Sequence, residues 1–306
     1  MKSATRYAIL AGFALGGVAG QALASPYITQ WRVTVDTFFD TATIQPSTGI
    51  QFSADGLSLN WGTGVNGGPR SGFDILYGSA PDFDGARPSV TTVTTSIETP
   101  PEQTPVPNVS VRHRNQPITG TSLQSVDILS RLTLTPLDPI TGADLGPVEQ
   151  TFKISFLETP NDPGSTCADG SGRFSDPLNA NGCADIFVID QSSINFEFQY
   201  ASIIDDGLGG LSFSEDDTQT YFISFLEVTG GLQTLSSGAC LAVTGSSAPC
   251  IGFRTAEAQD TVFQFGTVIS TTPIPFNVPE PGSLALLGLG LGAMGMMHRR
   301  RRSIVA

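Results

Sequence analysis

The sequence predicts an all-β protein, an antiparallel β-sandwich of jelly-roll-like type, on three observations. Short alternating apolar and polar runs, rich in Val, Ile, Thr and aromatic residues, recur along the chain between clusters of Gly, Pro, Asn and Asp. No helical periodicity interrupts them until the last stretch of about 30 residues. Two near-copies of one strand-like octapeptide each place three large apolar side chains on a single face, as a layered core requires.

The elements follow in order. Ile28 to Val35 alternates and reads as a strand. Ile50-Gln51-Phe52-Ser53 and Leu57-Ser58-Leu59-Asn60-Trp61 flank Asp55-Gly56 and predict a hairpin. Gly62 to Gly72 holds five glycines and reads as an exposed loop, followed by a strand over Phe73–Tyr77 and a loop to Pro88. After the strand-like Val90–Thr94, Pro100, Pro101, Pro105 and Pro107 predict a long surface loop, with an interdomain linker as the alternative. Val109 to Ile118 and Leu123 to Leu137 are β segments.

Thr151-Phe152-Lys153-Ile154-Ser155-Phe156-Leu157-Glu158 and Thr220-Tyr221-Phe222-Ile223-Ser224-Phe225-Leu226-Glu227 agree at six of eight positions. Each is followed by two cysteines, Cys167 and Cys183 or Cys240 and Cys250. In each case Phe-x-Phe begins thirteen residues after the second cysteine, at Phe196 and at Phe263. The shared order predicts a duplicated unit over about 150–198 and 219–265.

Both ends stand apart from this body. Lys2 and Arg6 precede an apolar run from Tyr7 to Val18, and Ala22-Leu23-Ala24 precedes Ser25. This predicts a secretory signal peptide over residues 1–24, the alternative being a retained anchor helix. At the other end, Val278-Pro279-Glu280-Pro281 leads into the 16 uncharged residues Gly282–Met297, then His298 and Arg299, Arg300, Arg301 and Arg302. As a helix the run would reach about 24 Å, short of a hydrocarbon core of about 30 Å. Four arginines favour the cytoplasmic side, which puts the body across the membrane. A buried core helix is the alternative.

This arrangement over 278–302 resembles the PEP-CTERM sorting signal of Gram-negative bacteria, a Pro-Glu-Pro triplet, one transmembrane helix and an Arg-rich end. The resemblance implies recognition of Pro279, Glu280 and Pro281 by an exosortase, a multi-spanning cysteine transpeptidase. It further implies an inner-membrane-anchored precursor, delivered to the periplasm, cell surface or extracellular matrix. Two prolines hold the triplet extended and accessible to such an enzyme.

Of the 15 Lys and Arg, two lie in the leader and four in 299–302, which leaves nine against 28 Asp and Glu and a body, residues 25–277 with the triplet attached, near −19. That field repels phosphate backbones and argues against nucleic-acid binding. Four cysteines in an exported chain predict disulfides, and the duplication selects Cys167–Cys183 and Cys240–Cys250 from three connectivities. Zinc is not indicated, because no two cysteines stand two to four residues apart and His113 is the single histidine of the body.

Arg112-His113-Arg114-Asn115 is the most conspicuous polar cluster. His113 and Asn115, followed by a Leu-rich β segment, resemble the His-x-Asn signature of the THxN group of PEP-CTERM proteins, with Arg112 where that group has Thr. The resemblance implies no particular activity. The expected role of His113 is structural, its ring bonding a backbone carbonyl; a catalytic base or metal ligand is the alternative. Asp169, Asp205, Asp206, Asp216 and Asp217 lie in acidic turns that suit solvent first and calcium second. A carboxylate-pair glycosidase depends on spatial separation the sequence does not show, and no Gly-x-Ser-x-Gly frames a serine nucleophile. The expected protein is therefore not an enzyme but an exported structural or adhesive protein, associated with exopolysaccharide. A calcium- or carbohydrate-binding module using the acidic loops and Trp61 is the alternative, and a secreted hydrolase the next.

Overall fold

A computed structural model describes residues 27–275 apart from 79–82, 100, 102–103, 141–142, 162–163, 165, 175, 191, 193 and 206–209. The expected leader over 1–24 and sorting segment over 278–302 lie outside the described residues. The chain is built from β1 (Gln30–Gln45), β2 (Gln51–Phe52), β3 (Ser58–Trp61), β4 (Thr63–Gly64), β5 (Ser71–Tyr77), β6 (Ser89–Ser96), β7 (Val106–Asn115) and β8 (Ile118–Thr119). It continues with β9 (Ser125–Asp138), β10 (Leu145–Leu157), β11 (Asp185–Ile189), β12 (Asn195–Asp205), β13 (Leu211–Glu227), β14 (Gln233–Thr234), α1 (Ser237–Thr244), β15 (Ile251–Thr255) and β16 (Gln259–Ser270).

One sheet runs β14-β15-β11-β10-β9-β1-β6 and the other β12-β13-β16-β7-β5-β3-β2. Neighbours within each are antiparallel, and a short parallel contact of Thr95 and Ser96 with Ile269 and Ser270 joins the two. The inward faces share one core. On β1 the alternation Trp31, Val33, Val35, Phe39 is buried, while Arg32 between them is exposed. Trp31 meets Phe198, Tyr200 and Tyr221 of the opposite sheet edge-on, with centroids 5.5, 5.2 and 5.3 Å away, the geometry that ring quadrupoles favour. Its Nε1 donates to Thr95 Oγ1 at 3.1 Å, so the indole is buried with its one donor satisfied.

Asp55-Gly56 turns between β2 and β3, with Gly56 at φ 71°, as the hairpin reading requires. The proline-bearing stretch connects β6 to β7, and both pair with β16. The two octapeptides fall on β10 and β13, in opposite sheets. Ile154 and Phe156, like Ile223 and Phe225, point into the core, but β10 lies between β9 and β11 while β13 lies between β12 and β16. Cys167–Cys183 and Cys240–Cys250 are bonded.

The one α-helix among the described residues, α1, was not expected. Ser236 Oγ accepts from Ala239 N at its start, and Gly245 at φ 74° ends it. These caps stabilise a helix too short for its amphipathic period to register in the sequence. Its Ala239 and Cys240 pack on Ile186 and Val188, covering the outer face of β11, so that strand is buried on both sides.

Tyr221 Oη accepts from Ile28 N at 2.8 Å inside the core, whereas Tyr200 Oη donates to Ala143 O at the surface. Tyr221→Phe leaves a buried N–H unpaired and is expected to cost about 1–3 kcal/mol. Tyr200→Phe, where water replaces the lost partner, is expected to cost under about 1 kcal/mol. Urea unfolding of the two variants checks the order, and equal losses would contradict it.

Candidate functional site

Alternation along β7 separates the polar cluster into two faces. Arg112 and Arg114 point outward to Asp74 on β5, with Arg112 Nη2 and Arg114 Nε 2.7 and 2.8 Å from Asp74 Oδ2. Burial works to raise the Asp74 carboxyl, but hydrogen bonds from Arg114, Arg112 and Ser58 outweigh it and hold the group below its usual range. His113 and Asn115 point inward and are fully buried.

His113 stands in an aromatic cage. Trp61 stacks on it at 5.8 Å with an 18° interplanar angle, and Phe73, Phe156 and Phe187 lie 4.9, 5.5 and 5.1 Å away. Burial, helped by the charge of Arg114, pushes the imidazole down to about 3, so the ring is neutral at physiological pH. Its Nδ1 bonds the Thr255 hydroxyl at 2.8 Å rather than the backbone carbonyl expected from sequence. Its Nε2 has no hydrogen-bond partner and lies 3.8 Å from Asp185 Oδ2.

Three carboxylates meet at this end of the sandwich. Glu158 is the residue after β10, Asp185 opens β11, and Glu257 lies in the turn from β15 to β16, beside Ala258 at φ 57°. One oxygen from each lies within 4.8 Å of one from each of the others, the one such group of three metal-ligating side chains among the described residues. Asp185 and Glu257 are fully buried and Glu158 partly so. Trp61 Nε1 donates to Glu158 Oε2 at 2.7 Å, and Thr159 N donates to Asp185 Oδ1 at 2.7 Å. Glu158 Oε1, Asp185 Oδ2, both oxygens of Glu257 and Asn115 Oδ1 are buried without a hydrogen-bond partner.

Desolvation pushes the Glu158 carboxyl up to about 8 against the pull of the Trp61 hydrogen bond, with the Glu257 charge adding to it. Burial raises Glu257 to about 7. Asp185 is driven well above the carboxylate range by burial and by the charges of Glu158 and Glu257.

The segment between β10 and β11 is fastened over this centre. Cys183 is bonded to Cys167 two residues before Asp185, and Cys183 O accepts from Thr159 Oγ1 at 2.6 Å. Arg254 on β15 reaches Asp169 Oδ2 at 2.8 Å and Asp176 Oδ2 at 2.6 Å. At Gly182 a Cβ would come 2.7 Å from Glu257 Cγ, so only glycine lets the segment approach this closely.

The residues singled out from sequence are thus placed unequally. His113 and Asn115 reach the centre. Asp169 is held by Arg254 and Ser171 on the fastened segment. Asp217 is exposed on β13, the side chains of Asp205 and Asp216 and the whole of Asp206 lie outside the described residues, and so do Pro279, Glu280, Pro281 and Arg299 to Arg302. Trp61 is fully buried and offers no face to a sugar, because its ring closes the His113 cage. Sequence reasoning missed Glu158, Asp185 and Glu257. Glu158 had a signal, as the conserved end of both octapeptides; Asp185 and Glu257 had none.

Residues 277–302 match the PEP-CTERM protein-sorting motif. That motif marks a chain exported and handed to an exosortase. Among curated proteins none matches this chain. Among the described residues no helix is long and apolar enough to cross a membrane.

After dialysis against a chelator, stability is expected to fall as pH rises from about 7 to 8. Above about 7, His113 is neutral in the folded state and nearly so in the unfolded state, whose ordinary value is 6.5. Glu158 and Glu257, ordinarily near 4.5, keep protons when folded that they release on unfolding. The native state binds more protons, so raising pH favours unfolding. Urea midpoints across that interval check the sign; a rising midpoint would refute it.

Proposed function

We propose that the chain is a non-catalytic structural or adhesive protein of the cell surface or an exopolysaccharide matrix, delivered there by exosortase processing of its C-terminal tail. The observation that carries this reading is the sorting motif over 277–302, behind a strongly acidic β-rich body. A large net negative charge favours solubility outside the cell. Two disulfides suit an oxidising compartment and stabilise the folded chain there.

Non-catalytic character is supported by the burial of the one convergent carboxylate group among the described residues. Glycoside hydrolysis needs its two carboxylates on either side of an entering sugar bond, and Asp185 and Glu257 are fully enclosed. His113, the histidine a serine hydrolase would need, is walled in by Trp61, Phe73, Phe156 and Phe187. The likeness of His113 and Asn115 to the THxN signature extends the reading: a motif that packs inside the sandwich serves the fold rather than an exposed partner surface.

In producing cells, Glu280→Ala is expected to leave full-length precursor in the membrane fraction while the parent is trimmed and released. Intact mass and membrane fractionation measure this. Trimming of the variant at the parental rate would remove the basis for the sorting reading.

A further inference from the structure

We propose that His113, Glu158, Asp185 and Glu257 form a binding site for one divalent first-row transition-metal ion, zinc or manganese in class, which ties the two sheets together at this end of the sandwich.

Each of three side chains is held by one atom and leaves another unpartnered. His113 is tied at Nδ1 by Thr255 and has Nε2 free. Asp185 is tied at Oδ1 by Thr159 and has Oδ2 free. Glu158 is tied at Oε2 by Trp61 and has Oε1 free. Glu257 contributes two unpartnered oxygens. Holding one atom of a ligand while the other faces the ion is how outer-shell partners orient metal ligands, and the tautomer in which Nδ1–H donates to Thr255 Oγ1 leaves the Nε2 lone pair for the ion.

Two other accounts of the cluster fail. Carboxyl groups sharing protons would approach to about 2.5–2.7 Å, and such pairs would be hydrogen-bonded, whereas these oxygens are not. A basic counter-charge is also missing: among the described residues no Lys or Arg pairs with Glu158, Asp185 or Glu257, and Arg254 and Arg114 are spent on Asp169, Asp176 and Asp74. The spacing suits a cation. Ligands about 2.0–2.2 Å from one ion are separated by at most about 4.0–4.4 Å; the three carboxylates converge to within 4.8 Å of one another and His113 Nε2 stands beside that group, 3.8 Å from Asp185 Oδ2, so an ion would draw these side chains inward by about half an ångström or more.

The donor set selects the metal. Calcium and magnesium take oxygen-only sets, whereas imidazole with carboxylates suits zinc, manganese and their neighbours. His113 belongs to β7 of one sheet, Glu158 follows β10 and Asp185 opens β11 of the other, and Glu257 lies in the turn from β15 to β16 that joins the two, so the ion would act as a cross-link.

The test uses the exported protein purified from its producing cells, analysed for bound metals, then stripped by chelator and titrated calorimetrically with Zn²⁺, Mn²⁺ and Ca²⁺ separately. One first-row ion per chain is expected, and a hundredfold excess over Kd should raise the melting midpoint by about 5–10 °C. Co²⁺ loading should give visible absorption bands that His113→Ala abolishes. Glu257→Gln should remove the midpoint rise while leaving the stripped protein at least as stable as the parent, because the amide fills the same space and needs no counter-charge. Thr255→Val, nearly isosteric and outside the ligand set, should weaken binding by about 10–100-fold. Absence of heat and of midpoint shift with both Zn²⁺ and Mn²⁺ overturns the proposal, as does binding of Ca²⁺ alone. Undiminished binding in Glu257→Gln overturns the residue assignment.

Discussion

A charge inside a protein must be neutralised by a partner, a proton or an ion, and this constraint governs one whole end of the molecule. Three carboxylates and a neutral imidazole are enclosed where β3, β7, β10, β11 and β15 converge. The cost of leaving them uncompensated would be several kcal/mol per charge. The surroundings are arranged accordingly. Trp61 and Thr159 each donate to one carboxylate, and Thr255 bonds the imidazole, while the aromatic rings around His113 exclude water. The remainder of the core is an interleaving of Trp, Phe, Ile, Leu and Val between two sheets, in which the Trp31 indole donates to Thr95 Oγ1 and the Tyr221 hydroxyl accepts from Ile28 N.

Much of the fold was legible because β structure writes its period into short windows. Alternation named β1, β5 and the octapeptide strands, and Asp55-Gly56 named the hairpin between β2 and β3. The repeated order of octapeptide, cysteine pair and Phe-x-Phe selected the two disulfides that are bonded. The pairing of strands was less accessible. Two octapeptides that match at six of eight positions lie in opposite sheets with different neighbours, since local pattern sets which face is buried but not which strand lies alongside. Their terminal glutamates show the same limit. Glu158 turns into the buried centre, while Glu227 caps a turn by accepting from Thr229 N, Gly231 N and Leu232 N.

The site was legible only at His113 and Asn115, where an unusual residue pattern stood out against an acidic background. Its carboxylates span 99 positions, from Glu158 to Glu257, and nothing in the immediate neighbours of Asp185 and Glu257 marks those two. Acidic runs drew the eye to Asp169, Asp205, Asp206, Asp216 and Asp217 instead. Runs of charge mark solvated turns, whereas a carboxylate with a task in the interior is usually isolated among apolar residues, as Asp185 is between Ala184 and Ile186.

The bond between Cys167 and Cys183 fixes the strand entry that delivers Asp185. Thiols stay reduced in the cytoplasm and join only beyond the inner membrane. In a chain that carries the sorting motif, the brace on the entry to β11 therefore forms only after the chain has left the cytoplasm, and a precursor still awaiting export lacks it.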